Sequence, residues 1–374
     1  MRYILCVAAC IASVAAYATA LCPSRPACAS VACFQEWSWC HYRAQKPTIP
    51  NGVPGDLSRK HTLGPRADSQ IRNAVQYPKK VAQHRTVTDL SRSIDPFNIW
   101  YDVQTLSNFT NRCFQPVYTS EGPLARQWLE NRLSLLKVAT KTDRSVEAWR
   151  QRTVVATIPG RSNRTIVVGA HYDSCIDKDS STWRPIIVPG ADDNASGAMT
   201  ILEALRVLLQ NEEIATGKAN YTIEFHWYAS RFGHQDGSDL LFERYSTQEK
   251  RDIAAVLNQD QTGYTGDLSD DEEPAFGLIT DYTDKNLTRF VSLIIDEYTA
   301  TPAKLILCGS VCSDHVSATK AGYPSAYVRE SPRIYDFSTK LESDTIGPLN
   351  VTHMVEHAKL VVGFVVELAF ADLG

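Results

Sequence analysis

Three short apolar runs in this chain each deliver residues of metal-binding type. Ile166 to Ala170 leads straight into His171-Tyr172-Asp173-Ser174, and Val256-Leu257 leads into Asn258-Gln259-Asp260-Gln261-Thr262-Gly263. Between them, Val188-Pro189-Gly190-Ala191-Asp192-Asp193-Asn194-Ala195-Ser196-Gly197 stands directly ahead of an apolar-periodic stretch, Met199 to Leu209. Bounded apolar runs of this length read as strands buried on both faces, and the 3.6-residue periodicity reads as a helix. Functional side chains placed just beyond strand ends suit an α/β sheet, where crevices open at the carboxyl edge. The first strand, Ile166 to Ala170, is expected to neighbour another at Thr153 to Ile158, and Leu124 to Leu136 behind Pro123 is expected to be helical.

Each cluster has a structural rival. His171 at a strand end can ligate a metal while Asp173, two residues on, orients its other ring nitrogen; alone, His-x-Asp is equally a hydrogen-bonded structural pair. The paired acids give Asp192 as a ligand able to bridge cations, with Asp193 or Asn194 as the N-cap of the following helix. Asp260 is the third candidate ligand. The Cys308-Gly-Ser-Val-Cys312 spacing could hold metal, but for a secreted chain a tight disulfide between Cys308 and Cys312 is the expectation.

That compartment is argued from the N-terminus. Arg2, an apolar stretch from Tyr3 to Ala16, and Ala18-Thr19-Ala20 form a signal-peptide pattern over residues 1 to 20 with cleavage after Ala20. Cys6 and Cys10 leave with it, so the ten cysteines fall to eight, an even number for an oxidising compartment. Sequons at Asn108, Asn163, Asn220, Asn286 and Asn350 agree with a glycoprotein, while a sixth at Asn194 lies inside the acidic motif and is expected to stay unmodified. Residues 21 to 75 crowd Cys22, Cys28, Cys33 and Cys40 into a stapled cap, then a Pro- and basic-rich linker; a four-thiolate zinc site is the alternative there. Residues 76 to 374 form the main α/β domain. A net charge of −4 over 374 residues offers no basic face for nucleic acid, and no later apolar run is long enough to span a membrane.

Taken in order, His171-x-Asp173, Pro-Gly-Ala-Asp192-Asp193-x-x-Ser-Gly, Phe225-His-Trp-Tyr228, Gln259-Asp260-x-Thr-Gly-Tyr264, Cys312-Ser-Asp-His315 and Lys320-Ala-Gly-Tyr-Pro-Ser-Ala326 resemble the secreted dizinc leucine aminopeptidases of bacteria and fungi. The resemblance runs from about Leu106 to the C-terminus. It implies a mixed, largely parallel central sheet with helices on both faces, and peptides or proteins with free N-termini as partners. It also implies one zinc held by His171, a bridging Asp192 and Asp260.

The second zinc's glutamate and histidine fall on Phe232 and Lys340, and the general base falls on Arg231. Phe225 to Tyr228 before the loop and Gly237-Ser238 after it fix that register. Arginine stays protonated and cannot accept the proton of an attacking water. The resemblance therefore implies no catalytic residue, at most one zinc, and a binding or structural role, the alternative being an active aminopeptidase. His234, Asp236 or Asp239 could replace the base, and Asp336 or Glu342 the lost histidine; Cys113 and Cys175 could pair beside the site. The surviving ligands are the wrong half for the related single-zinc glutaminyl cyclases.

Overall fold

The computed structural model describes residues 75–109, 111–113, 121–143, 152–175, 187–231, 235–266, 268, 272–309, 312–333 and 343–374. The expected signal peptide, and the Cys-rich cap and linker apart from Val75, lie outside the described residues, as do Phe232 and Lys340. All described residues fall in one compact unit within Val53–Gly374.

Eight strands form one sheet: β1 (Ala139–Thr142), β2 (Val154–Ile158), β3 (Ser162–His171), β4 (Tyr221–Tyr228), β5 (Ile253–Gln259), β6 (Phe276–Ile279), β7 (Ala303–Ile306) and β8 (Ser325–Arg329). Their spatial order is β1-β2-β4-β3-β5-β8-β6-β7. The central block β4-β3-β5-β8 is parallel, flanked by antiparallel pairings of β2 with β4 and of β6 with β8. The expected strands at 153–158 and 166–170 both form, but they are not neighbours, because β4 lies between β2 and β3. A helical crossover returns the chain parallel to β3, and the position it takes is the one the sequence order would have given to β2.

The helices are α1 (His84–Ser91), α2 (Pro96–Ser107), α3 (Glu121–Leu135), α4 (Gly197–Leu208), α5 (Glu212–Ala215), α6 (Asp236–Thr247), α7 (Lys285–Tyr298), α8 (His315–Lys320) and α9 (Val351–Ala369). They cover both faces of the sheet. Successive side chains of β4 alternate between those faces. Tyr228 packs with Leu241, Phe242 and Tyr245 of α6 and Ala318 of α8. Trp227 points the other way and its indole N–H donates to the Ala198 carbonyl at the start of α4. Two largely buried helices on that side, α4 and α9, pack on each other and on β3. Asn350 caps α9 by accepting from the His353 amide.

Candidate metal centre

The chain runs from β3 through α4 to β4 on one side of β3, and later places β5 on the other side. Neighbouring loops diverge at such a reversal and leave a crevice at the carboxyl ends of the strands. His171 is the last residue of β3, level with Tyr228 of β4, and Asp260 follows β5 directly. The loop that precedes α4 enters the same crevice. Asn194 fastens it there, accepting from the Gln261 and Gly197 amides and donating to the Gln259 carbonyl. A β-carbon on Gly197 would lie 2.4 Å from the Asn194 carboxamide oxygen and 2.6 Å from the Gln259 carbonyl, so this position admits only glycine. The peptide bond between Asp193 and Asn194 is cis.

Three side chains converge. His171 Nε2 lies 3.1 Å from Asp193 Oδ1 and 3.5 Å from Asp260 Oδ1. Among the described residues this is the one group of three or more such side chains whose ligand atoms all lie within 4.8 Å of one another. A tetrahedral zinc with bonds of about 2.0–2.1 Å separates its ligand atoms by about 3.3 Å, so these side chains fit that ion with little movement. One histidine and two carboxylates also match the three-ligand, one-open-position composition of catalytic zinc sites. Asp173 stands behind them, with its carboxylate 3.4 Å from His171 Nδ1.

The facing acid is Asp193 where the sequence reading placed Asp192. Asp192 turns to the opposite side, accepts from the Gly263 amide at 3.0 Å, and meets the buried Glu330 carboxyl. Burial, together with the nearby Asp344 charge, pushes Asp192 up to about 7. Nor does Asp193 cap the helix; Asn194 makes the hydrogen bond to the first helical amide instead.

Charge is concentrated here. Burial alone would lower the His171 pKa, but Asp260, Asp173 and Asp193 together raise it well above the ordinary histidine value. Conversely, burial would raise Asp260, yet His171, Arg231 and the hydroxyl of Ser313 hold it well below the usual carboxylate range. A bound dication would take over what the His171 proton does in this arrangement.

Arg231 lies in the same charge field. Its amide donates to Asp173 Oδ1 at 3.1 Å and its guanidinium to the Cys312 carbonyl at 2.5 Å. Burial disfavours its charge, but Asp260, Asp314 and Asp193 more than restore it. The disulfide Cys308–Cys312 is present, as is Cys113–Cys175, which ties the loop after β3 to the segment after α2. Of the residues expected as substitutes for the base, Asp236 opens α6, Asp239 pairs with Lys320 at 3.4 Å, and His234 lies outside the described residues, as do Asp336 and Glu342, the substitutes expected for the histidine ligand.

Sequence reasoning missed three supporting residues. Ser313 donates to Asp260, Asp344 accepts from the Asp192 and Asp193 amides at 2.8 and 2.9 Å, and Arg112 grips two loops. Ser313 lies in the Cys312-Ser-Asp-His315 motif, but no spacing rule links it to Asp260, 53 positions away, or Asp344 to the Asp192 amide, 152 positions away.

An α/β sheet with a His-Asp-Asp cluster at its switch point defines a metallohydrolase-type fold and centre. The chain belongs to peptidase family M28, whose model matches residues 153–365. It is 41% identical over 327 residues to leucine aminopeptidase 1 of Phaeosphaeria nodorum, covering 85% of this chain and 82% of the relative. With the protein of the same name from Pyrenophora teres f. teres it shares 42% over 326 residues, at coverages of 85% and 82%. Among solved structures, LapB from Legionella pneumophila superimposes with a TM-score of 0.68 at 30% identity, over 79% of each chain. The LapA aminopeptidase of the same organism gives 0.69 at 26% identity, over 84% of this chain and 81% of that one. The family implies zinc.

Proposed function

We propose that this M28 protein holds a single zinc on His171, Asp193 and Asp260 and binds peptide N-termini there with little or no hydrolysis. The observation that carries this reading is Arg231, whose guanidinium lies within the charge field of that triad and is anchored on the Cys312 carbonyl. Zinc at the triad would act as a Lewis acid toward a peptide carbonyl or amine. The protein's own part is to hold that ion and its ligand while offering, at the place where the resemblance puts a general base, a cation with no lone pair to accept a proton. Losing a general base alone costs roughly 10²- to 10⁴-fold in rate.

The second reading is a working aminopeptidase, favoured by relatives named leucine aminopeptidase at about 41% identity and by the intact three-ligand cluster. Elemental zinc per chain, measured beside hydrolysis of a leucyl chromogenic substrate, separates the two. One zinc without turnover above a metal-stripped control supports the binding role; turnover abolished by a chelator and restored by zinc overturns it. The signal-peptide pattern supports secretion, checked by sequencing the N-terminus of exported protein for cleavage after Ala20.

A further inference from the structure

Arg112 is fully buried and uses its guanidinium in an unusual way. It makes four hydrogen bonds, every one to a main-chain carbonyl: Nε to Tyr172 at 2.8 Å, Nη1 to Leu106 at 3.1 Å and to Pro189, and Nη2 to Gly190 at 2.8 Å. Tyr172 is the residue after His171, and Gly190 lies three residues before Asp193. One planar fork therefore holds the two loops that carry two members of the triad. Neighbouring links repeat the connection: Ser174 Oγ accepts from the Arg112 amide at 3.3 Å and donates to the Val188 carbonyl at 2.8 Å, Asn111 bridges Val188, and Cys113 is joined to Cys175.

The acidic loop is gripped from its other side too. Its carbonyls at 189 and 190 go to Arg112, while its amides at 191, 192 and 193 go to the main-chain oxygen and both carboxylate oxygens of Asp344. Gly190 adopts φ +51°, and a β-carbon there would come within 2.8 Å of Arg112 Nη2 and 2.6 Å of Ser174 Cβ, so the loop runs too close to the fork to carry a side chain. A guanidinium held in a buried place costs free energy unless its donors and charge are satisfied. Here burial lowers the Arg112 pKa to about 10, the charges of Asp344, Asp173 and Asp193 offset part of that cost, and the four carbonyls take its donors.

We infer that Arg112 is a positioning residue for the metal centre, setting the separation of His171 from Asp193 by fixing the 172–175 and 188–190 backbones to one rigid fork. This rests on the metal-centre reading above, and it predicts that the two loops loosen together when the fork is lost. Lysine keeps the charge but offers a point donor on a flexible stem, so Arg112→Lys removes the geometry specifically.

The test compares Arg112→Lys with Glu367→Gln, a second buried clamp on α9 that accepts from the Ala82 and Gln83 amides and lies two residues before Ala369, whose carbonyl accepts from the Asn220 amide just ahead of β4. Hydrogen exchange of the metal-free, full-length protein is followed in peptides covering 171–175 and 187–196, beside zinc affinity by chelator competition and the melting temperature. Arg112→Lys should speed exchange in both peptides by about tenfold or more and weaken zinc binding about 10- to 100-fold, the scale of outer-shell losses at metal sites. Glu367→Gln should lower the melting temperature and change neither. Should Arg112→Lys not fold, Ser174→Ala carries the test, with the same pair of effects at roughly threefold. Equal behaviour of the Arg112 or Ser174 variant and the Glu367 control, or loosening of one loop alone, overturns the assignment. Absence of zinc from the wild-type protein would overturn the metal-centre reading, and the exchange comparison would still decide the role of Arg112 in coupling the loops.

Discussion

At the residue scale, what matters is which of two adjacent acids faces the histidine. Adjacent residues in an irregular turn point in different directions, and Asp193 meets His171 while Asp192 meets Gly263 and Glu330. Asp193→Ala should therefore reduce zinc affinity by about 100-fold or more, whereas Asp192→Asn should cost less than about tenfold, measured by chelator competition on each purified variant. Similar losses for both, or a larger loss at Asp192, would reverse the assignment. The sequence had shown that an acid lies here and had named its partners, His171 and Asp260, which meet in the one such cluster among the described residues. It put Asp192 in the ligand's place where the structure faces Asp193 to His171, because ligand periodicity applies to strands and helices and this loop has neither period. Arg231 belongs to the same scale. On the binding reading proposed above, Arg231→Glu, Phe232→Glu and Lys340→His together should raise leucyl-substrate hydrolysis by roughly 10²-fold or more over the unmodified protein, and a wild-type protein already as active as the triple variant would overturn that reading.

At the scale of elements, two devices can be tested by stability. Asn350 caps α9, the long buried helix, so Asn350→Ala should lower unfolding free energy by about 1 kcal/mol in denaturant melts with an unchanged m-value. On the α6 face of β4, Glu224 meets His226 at 3.0 Å and a bidentate Arg251. Burial by itself would raise the Glu224 pKa, but the hydrogen bond to His226 and the Arg251 guanidinium outweigh it and bring the carboxyl down from 4.5 to about 2. A depressed carboxylate stabilises the fold above its unfolded pKa and loses that contribution as pH falls through the folded value. Stability should then drop between about pH 4.5 and pH 2 by roughly 3 kcal/mol, and Glu224→Gln should flatten that part of the curve. The alternation that places Glu224 and Tyr228 on one face and Trp227 on the other was readable in Phe225-His226-Trp227-Tyr228, since period two is a property of any strand.

For the molecule as a whole, no helix among the described residues is long and apolar enough to cross a membrane. If the chain is exported as its first twenty residues suggest, the sequons are not equivalent. Asn108, Asn163 and Asn286 are exposed, whereas Asn194 is fully buried with its amide on the Gln259 carbonyl. Glycopeptide mapping of the secreted protein should find carbohydrate at some or all of the exposed three and none at Asn194; a glycan at Asn194 would be incompatible with the loop that holds Asp193. By itself the sequence determined the α/β class, the strands ending in His171 and before Asp260, the helix behind the acidic motif and the family, because apolar periodicity and short motifs are local and survive without knowledge of contacts. Only the tertiary structure decided that β4 separates β2 from β3, that Asp193 completes the triad, and that Arg112, Ser313 and Asp344 support it. Those facts depend on which distant segments a crossover brings together, and hydrogen bonds across 50 to 150 residues leave no spacing for a sequence to show.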